Sequence, residues 1–506
     1  MSINPSYDNN RLKHALLVIS VSSFFAILIL GMMYFFAKDN LIFGLAFLIL
    51  PIPILYLYKF FSEPRIGFYS VLVANYFAIG LSRYIPAPLG LSLDGLLVLT
   101  WLAVIFSQFN KKVEWKNAGR DFTYFVIVWY AMTFLQLFNP EAVSREAWFY
   151  VMRGQGLYIF LAIPLVYLIF NKPKDIDILI QTCAWFTLIA IAKGIGQKYM
   201  GVDRWEQTWL NVPGNRSTHI LFGQLRVFSI YSDAGTFGSS MGYFGVLYII
   251  LGIHELKKLK KFFYFFVGFL SIFAMLISGT RSAIAVPLVG FVIYTILTKK
   301  FKIMISVGTI IFILFFILKY TNIGQGNYDI RRMRSAFSEE NASLNVRAEN
   351  RKLFAEYLKS RPFGGGLGSA GNWGLRFSPG TFLAETATDG FYIQIWAENG
   401  VVGLTFYLIM IFYFALKSTF LIFFRLKKPE NIYKAIPFTC GMYGLMVSSY
   451  SASSLGQLPN IIIVFTSMAL ISLMPEWEKA EEEKENIIKQ KLISIEKSQS
   501  KKGNYE

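Results

Sequence analysis

The chain has 506 residues, 55% of them hydrophobic, and a formal net charge of +18. About a dozen apolar runs of roughly 17–22 residues, long enough to cross ~30 Å of hydrocarbon, exclude a soluble protein. The positive charges fall in short clusters between these runs, which favours membrane topology over a nucleic-acid partner.

Fourteen transmembrane helices are predicted, so the predicted fold is an all-α, polytopic integral membrane protein. They cover residues 14–36, 41–58, 67–86, 91–109, 122–138, 150–170, 177–196, 237–253, 262–278, 282–298, 303–318, 400–418, 435–455 and 459–474. The loops that follow the even-numbered helices are rich in lysine, as at Lys111-Lys112 and Lys427-Lys428. Because cytoplasmic loops are enriched in Lys and Arg, both termini are predicted to be cytoplasmic.

The predicted organisation has four parts. Residues 1–318 hold helices one to eleven, with an exterior loop at about 197–236. Residues 319–399 form a large, partly helical exterior (periplasmic) loop before the last three helices. Residues 400–474 hold those three helices, and residues 475–506 form a charged cytoplasmic tail.

The large exterior loop contains an amphipathic stretch at residues 345–359. Arg347 and Arg351 share one face of the predicted helix, four residues apart, and apolar side chains occupy the other face. Asn345 is predicted to cap the start of this helix. A helix lying on the bilayer surface is an alternative interpretation of the same pattern.

Lysine is concentrated on the predicted cytoplasmic side of the membrane, whereas arginine is concentrated on the exterior side. When the charged residues at the ends of the predicted spans are counted with the nearer side, the cytoplasmic side holds 25 Lys and 4 Arg, whereas the exterior side holds 6 Lys and 14 Arg. Topology does not require arginine on the exterior side. Its planar fork of donors matches phosphate and carboxylate groups. The pattern therefore predicts a phosphate-bearing substrate at the outer face of the membrane.

Three arginines near the predicted outer boundary are candidate phosphate ligands. Arg281 lies in the tight turn Ser278–Ser282 between two predicted spans. A turn is required there to connect the two helices, but a guanidinium group is not, so its presence indicates another role. Binding of lipid head groups is the alternative role. Arg226 precedes span eight, with a salt bridge to Asp233 as its alternative. Arg153, at the outer start of span six, is the third candidate.

Two carboxylates lie near the same boundary. Asp389 could accept a proton from an attacking sugar hydroxyl, and its alternative role is to cap the helix that follows. Glu398 is a candidate substrate-binding residue, and its alternative is an interfacial pair with an arginine. The nearby group Arg331, Arg332 and Arg334 is interpreted as surface charge of the long loop.

Metal and cofactor chemistry is not expected. The three histidines, His14, His219 and His254, are scattered without ligand spacing. The two cysteines, Cys183 and Cys440, both lie inside predicted spans. The site is therefore predicted to use no metal ion and no cofactor.

The order and spacing of these motifs resemble the O-antigen ligase and polysaccharide polymerase family, over roughly residues 220–410. The features that carry the resemblance are the Ser-Gly-Thr-Arg-Ser turn at 278–282, the Arg226 segment, Asn345-Val346-Arg347, Arg361-Pro362-Phe363-Gly364 and the long exterior loop.

The resemblance implies glycan transfer from an undecaprenyl pyrophosphate carrier at the outer face of the bacterial inner membrane. Arg226 and Arg281 match the pyrophosphate-binding arginines of the family. Further residues near the outer face are candidates for substrate binding: Arg153, Arg347, Arg351, Arg361 and Glu398. The family's ligases carry a His ten intervening residues before a Gly, and here Asp389 occupies that position before Gly400. This departure favours the polymerase branch over the ligase branch.

The expected activity is that of a metal-independent, inverting glycosyltransferase that polymerises lipid-linked repeat units into a surface polysaccharide. Its expected partners are the undecaprenyl-pyrophosphate-linked glycan, membrane lipid, a chain-length regulator and a flippase. One alternative is a ligase that transfers a finished glycan to a lipid or another acceptor. An alternative of another class is a flippase, which should show two similar halves and charges along a central path.

Overall fold

The structure is a computed structural model that describes residues 49–110, 113–212, 219–221, 223–299, 301–326, 328–335 and 342–502, with a few isolated residues before 49. The predicted first span, the start of the second and residues 503–506 lie largely outside this part. Within it, nine helices are long and apolar enough to cross a membrane. These are Gly90–Phe109, Asp121–Phe138, Arg145–Ile169, Lys174–Tyr199, Ala234–His254, Lys258–Ile277, Arg281–Thr298, Phe391–Phe424 and Asn460–Leu492. These helices agree with the predicted polytopic membrane protein, and the count of fourteen spans stays a prediction.

The elements before residue 230 are helical apart from one short hairpin. The helices are α1 (Pro51–Ser62), α2 (Pro64–Leu81), α3 (Gly90–Asn110), α4 (Asp121–Leu135), α5 (Arg145–Met152), α6 (Tyr158–Ile169), α7 (Lys174–Tyr199) and α8 (Arg204–Leu210). A π-helical turn, Arg153–Leu157, joins α5 to α6. The strands β1 (Ile220–Leu221) and β2 (Gln224–Leu225) pair antiparallel in the predicted exterior loop, which adds a small departure from the all-α prediction.

The elements after residue 230 include the longest helices. They are α9 (Ala234–His254), α10 (Lys258–Ile277), α11 (Ala285–Thr298), α12 (Phe301–Tyr320), α13 (Tyr328–Arg334), α14 (Ala342–Leu358), α15 (Gly371–Phe377), α16 (Phe382–Glu385), α17 (Phe391–Phe424), α18 (Pro429–Ser448) and α19 (Asn460–Lys502). The predicted charged tail is therefore helical up to Lys502 and continues the last span without a break.

Helix α9 lies at the centre of the bundle, and nearly all of its side chains are buried. A Cβ atom at Gly245 would lie 2.5 Å from the Ile272 side chain of α10. At Gly444 of α18 it would lie 2.5 Å from the carbonyl oxygen of Val286 in α11. Small residues at these crossings let the helix backbones approach closely. Such close van der Waals packing holds membrane helices together, because lipid tails are as apolar as the side chains and burial gives no hydrophobic gain.

One end of the bundle is held by ion pairs. Arg120 binds Glu476 through two parallel hydrogen bonds of 2.6 and 2.7 Å. Lys434 Nζ lies 2.8 Å from Asp177 Oδ1 and links α18 to α7. This end contains the lysine-rich turns that predict the cytoplasmic side. The arginine-rich turns lie at the opposite end, which we call the predicted exterior end.

The predicted large loop, residues 319–399, contains α13 to α16 and the start of α17. Because α14 begins at Ala342, Asn345 lies inside the helix and does not cap it, which corrects that prediction. Phe354 and Leu358 of α14 are buried in a cluster with Leu383. The apolar face of α14 therefore packs on protein, which counts against the alternative of a helix lying on the bilayer surface.

Helix α17 is kinked at Gly400, whose φ of 67° lies in the left-handed region. The kink packs against the glycine-rich segment that follows α14. Gly365 N–H donates to the Ala397 carbonyl at 2.9 Å, and Val402 N–H donates to the Pro362 carbonyl at 3.2 Å. These bonds supply partners for backbone groups that the kink removes from the helical pattern.

Replacing Gly400 with alanine is expected to destabilise the protein by more than about 2 kcal/mol. A Cβ atom there would overlap the Pro362 carbonyl and the Gly364 backbone nitrogen, and its φ would be strained. The measurement is thermal unfolding of the protein in detergent, read as loss of monodisperse material. Gly196→Ala is the matched control because a Cβ atom at Gly196 meets nothing within 4 Å. Equal stability of the two variants would contradict the proposed role of the kink.

Candidate functional site

Arg281 starts a short 3₁₀ turn, Arg281–Ile284, at the predicted exterior end. Helix α10 ends at Ile277, and Gly279 takes a φ of 61° that turns the chain sharply. The Ser278 side-chain oxygen accepts from the Thr280 N–H at 3.2 Å and fixes this turn. Arg281 Nη1 lies 3.5 Å from Ser335 Oγ, beside the end of α13.

Arg226 meets the same turn from the β hairpin. Its backbone N–H donates to the His219 carbonyl at 2.8 Å and extends the pairing of β1 with β2. Its Nη2 donates to Thr280 Oγ1 at 3.0 Å. Thr280 Oγ1 in turn donates to the Ala234 carbonyl at the start of α9. Two arginines separated by 55 positions in the sequence therefore come together at Thr280, and the charge of Arg281 acts on Arg226.

Arg332 of α13 is a third member of this group. Its Nε donates to the carbonyl oxygen of Gly279, and its charge acts on both Arg226 and Arg281. The interpretation of Arg332 as surface charge is therefore wrong. Arg334 instead donates to the Ile323 carbonyl at 2.5 Å after α12, and Arg331 is exposed.

Helix α14 brings two further arginines to the group, and one of them contacts the carboxylate of Asp389 in the segment before α17. Arg347 Nε lies 3.7 Å from Asp389 Oδ1, and the charge of Arg347 acts on Arg281. Arg351 donates to the Tyr450 hydroxyl, and its guanidinium lies 4.6 Å from the centre of that ring. Tyr450 belongs to the turn after α18.

Asp389 does not cap the helix that follows it, which contradicts that alternative role. The residue at the N-cap of α17 is Gly390, without a side-chain hydrogen bond. Asp389 itself has a φ of 38°, an uncommon conformation for a residue with a side chain. The Phe391 N–H donates to the Ser449 carbonyl at 3.0 Å, so this segment is fixed against the Tyr450 turn. Strained backbone held in this way is a frequent feature of functional sites.

We call Arg226, Arg281, Arg332, Arg347 and Arg351 the arginine cluster. The carboxylates of Asp389 and Asp233 reach it, which leaves positive charge in excess. Burial lowers the pKa of Arg226, and the positive charge of Arg332 lowers it further. Like charges gathered in a half-buried site repel one another, and a bound anion relieves that repulsion. The arrangement suits a ligand with more than one phosphate group.

Three of the candidate substrate-binding residues lie outside the cluster. Arg153 binds Asp94 through its Nε at 2.9 Å. Arg361 binds Glu141 through its Nε at 2.8 Å. Glu398 is fully buried, accepts from Gln155 Nε2 at 2.5 Å and faces backbone N–H groups. The alternative in which Glu398 pairs with an arginine is therefore wrong.

Within the part of the chain that the structure describes, no three His, Cys, Asp or Glu side chains come together as a group that could hold a metal ion.

Two comparisons with known proteins cover this part of the chain. Residues 266–408 match a family described as O-Antigen ligase. The matched segment runs from α10 into α17 and includes Arg281, Arg332, Arg347 and Asp389. A protein described as O-antigen polymerase from Salmonella muenchen is 24% identical over 343 residues, which cover 63% of this chain and 80% of that protein. Together these two matches support the assignment of the chain to the O-antigen ligase and polysaccharide polymerase family.

Proposed function

We propose that the protein is a bacterial membrane glycosyltransferase that polymerises glycan repeat units carried on a lipid pyrophosphate. The observation that carries this proposal is the convergence of arginines from four separate segments around the Ser278–Ser282 turn. Family membership supports polymerisation or ligation of O-antigen in general. The lipid carrier, its undecaprenyl chain and the outer face of the inner membrane as the place of reaction belong to the proposal, as does the cytoplasmic position of both termini.

The arginine cluster would bind the leaving group. Arg226 contacts Thr280, the residue before Arg281, so the two arginines can each hold one phosphate of a pyrophosphate through charge-assisted hydrogen bonds. Arg332, whose charge acts on both, would add a third positive charge. Because the Gly279 carbonyl and Thr280 hold two of these side chains in place, the donors need little reorganisation when negative charge develops.

Asp389 would act on the acceptor. Its carboxylate is one-third exposed and lies 3.7 Å from Arg347, a member of the arginine cluster. A carboxylate in this position can orient the attacking sugar hydroxyl and accept its proton. Arg347 would be a positioning residue, and Arg351 with Tyr450 would form the neighbouring wall.

The reaction then balances without a further reactant. The acceptor hydroxyl oxygen attacks the anomeric carbon of the donor glycan, and its proton passes to Asp389. The bond between that carbon and the phosphate oxygen breaks, and the electron pair leaves with the lipid pyrophosphate. Attack from the side opposite the leaving group inverts the anomeric configuration. The growing chain is the donor, and a lipid-linked repeat unit is the acceptor.

A ligase is the second candidate, because the matched family is described as O-Antigen ligase. A ligase would use the same arginine cluster with a different acceptor. The presence of Asp389 where the family's ligases carry a histidine supports the polymerase.

Deletion of the gene in its host should separate these functions. We expect the deletion strain to carry single repeat units on its surface lipid, and the wild-type gene on a plasmid should restore long chains. The measurement is the ladder of surface glycans on a gel, with immunodetection of the protein in the membrane. Unattached long chains would point to a ligase, and repeat units trapped inside the cell would point to a flippase. Either result would overturn the polymerase proposal.

A further inference from the structure

A cavity of about 340 Å³ lies between the end of α4 and the segment that follows α14. Its volume is within the range of small-molecule sites, about 300–1,000 Å³. Leu135, Phe138 and Phe363 form much of its apolar wall. Arg361 and Glu141 lie at the same cavity, and Asn399 of the α17 kink also lines it. The arginine cluster shares none of these lining residues.

Hydrogen bonds across its wall hold the cavity open. Gln136 Nε2 donates to the Phe363 carbonyl at 2.9 Å, and Asn139 Nδ2 donates to the Gly364 carbonyl at 3.2 Å. The end of α4 is thereby fixed to the glycine-rich segment. A site that exists before its ligand arrives loses less conformational freedom on binding.

The lining offers both flat apolar surfaces and hydrogen-bonding groups. Phe138 is 70% exposed and Phe363 is 58% exposed, so both rings present faces to a ligand. Arg361 and Glu141 form an ion pair of 2.8 Å, half-open to solvent. Asn399 is 2% exposed, and its Oδ1 finds no donor among the residues that the structure describes. Its Nδ2 is used, because it donates to Gln155 Oε1 at 3.1 Å.

We propose that this cavity binds a sugar residue of the glycan substrate, an inference that rests on the proposed function. A sugar offers an apolar ring face to the phenylalanines and hydroxyl groups to Glu141 and Arg361, whose charged groups are partly exposed. An alkyl chain of a lipid offers no hydrogen bond to this pair, so the lining favours a ligand that carries hydroxyl groups.

The distance to the arginine cluster fits one glycan chain. The segment of α14 from Arg347 to Leu358 contains eleven steps and is roughly 16 Å long at 1.5 Å per residue. An oligosaccharide attached to a pyrophosphate at the cluster can therefore extend along α14 to the cavity. The subsite would select the sugar several positions away from the reacting bond.

The test measures binding of glycan without lipid. Full-length protein in lipid nanodiscs is titrated by calorimetry with oligosaccharides of one to three repeats, released from the surface polysaccharide of the source strain. We expect saturable binding to the wild type, and Phe363→Ala and Phe138→Ala should each weaken it at least about fivefold. Both rings are exposed, so these variants should fold. Phe424→Ala, 71% exposed at the other end of α17, is the control and should bind as the wild type does.

Two results would overturn the subsite. One is binding that the phenylalanine variants leave unchanged, or no binding at all. The other is a co-purified lipid, seen by native mass spectrometry, that is lost in the variants while no glycan binds. The Arg281→Lys variant separates this inference from the proposed function, because it should bind the oligosaccharide normally. If the cavity binds glycan and the deletion strain still makes polymer, the subsite stands and the polymerase proposal fails.

Discussion

Arg281→Lys should reduce polymer formation by roughly 10²-fold or more, the loss typical of removing one donor that stabilises developing charge. Lysine keeps the positive charge but loses the planar fork that binds two phosphate oxygens at once. Arg281 also begins the 3₁₀ turn beside Ser335, so a lysine ammonium would sit differently relative to the neighbouring arginines. The measurement is the ladder of surface glycans after complementation of the deletion strain.

The control for this experiment is Arg145→Lys. Arg145 is an exposed arginine at the same end of the bundle, in the first turn of α5. The Arg145→Lys variant should therefore give the same ladder of surface glycans as the wild type. Both variants must reach the membrane at the wild-type level, measured by immunodetection. A wild-type ladder from Arg281→Lys at normal protein level would remove Arg281 from the proposed site.

Asp389→Asn should leave mostly single repeat units on the surface lipid, because a positioned general base contributes about 10²–10⁴-fold to rate. The substitution removes the proton acceptor with little change in shape. Asparagine also tolerates the left-handed backbone conformation of position 389, so the variant should fold. The rate of polymer formation from purified lipid-linked repeat units would be the most direct measurement.

Asp389→His is the matched variant. Histidine tolerates the same backbone conformation and can accept a proton near neutral pH, and the family's ligases carry it at this position. It should therefore recover part of the activity that Asp389→Asn loses. If the two variants are equally active, or if Asp389→Asn makes normal polymer, Asp389 is not the base.

Much of the architecture could be predicted because hydrophobicity decides it locally. The apolar run predicted at 237–253 is helix Ala234–His254, and the run at 177–196 is helix Lys174–Tyr199. The helix predicted at 400–418 begins nine residues earlier, at Phe391. Sequence alone favours a helix boundary at Gly400 because glycine is common at helix ends. The Pro362 and Gly364 backbone stabilises a kink there instead, and that contact joins distant parts of the chain.

The site was predictable only in part. The Ser278–Ser282 turn marks Arg281 because a guanidinium is not needed in a hairpin between spans. Arg332 gives no comparable signal, since its role depends on contact with Gly279, 53 positions away. Arg153 is also a candidate from its place at the outer start of a predicted span, but Asp94 satisfies its charge from 59 positions away. The local sequence pattern identifies arginines that could bind phosphate. Long-range contacts decide which of them are instead paired with a carboxylate of the protein, as Arg153 is with Asp94.

The kink in α17 has a mechanical consequence. Asp389 lies just before the first part of α17, which runs from Phe391 to the kink at Gly400 and is roughly 14 Å long at 1.5 Å per residue. A change of 10° at the kink would move the start of this helix by about 2 Å, and misplacement of a reacting group by about 1 Å can slow a reaction 10²-fold. The backbone contacts of Pro362 and Gly365 therefore fix the angle of the kink, and together with the bond from Phe391 to Ser449 they fix the position of Asp389.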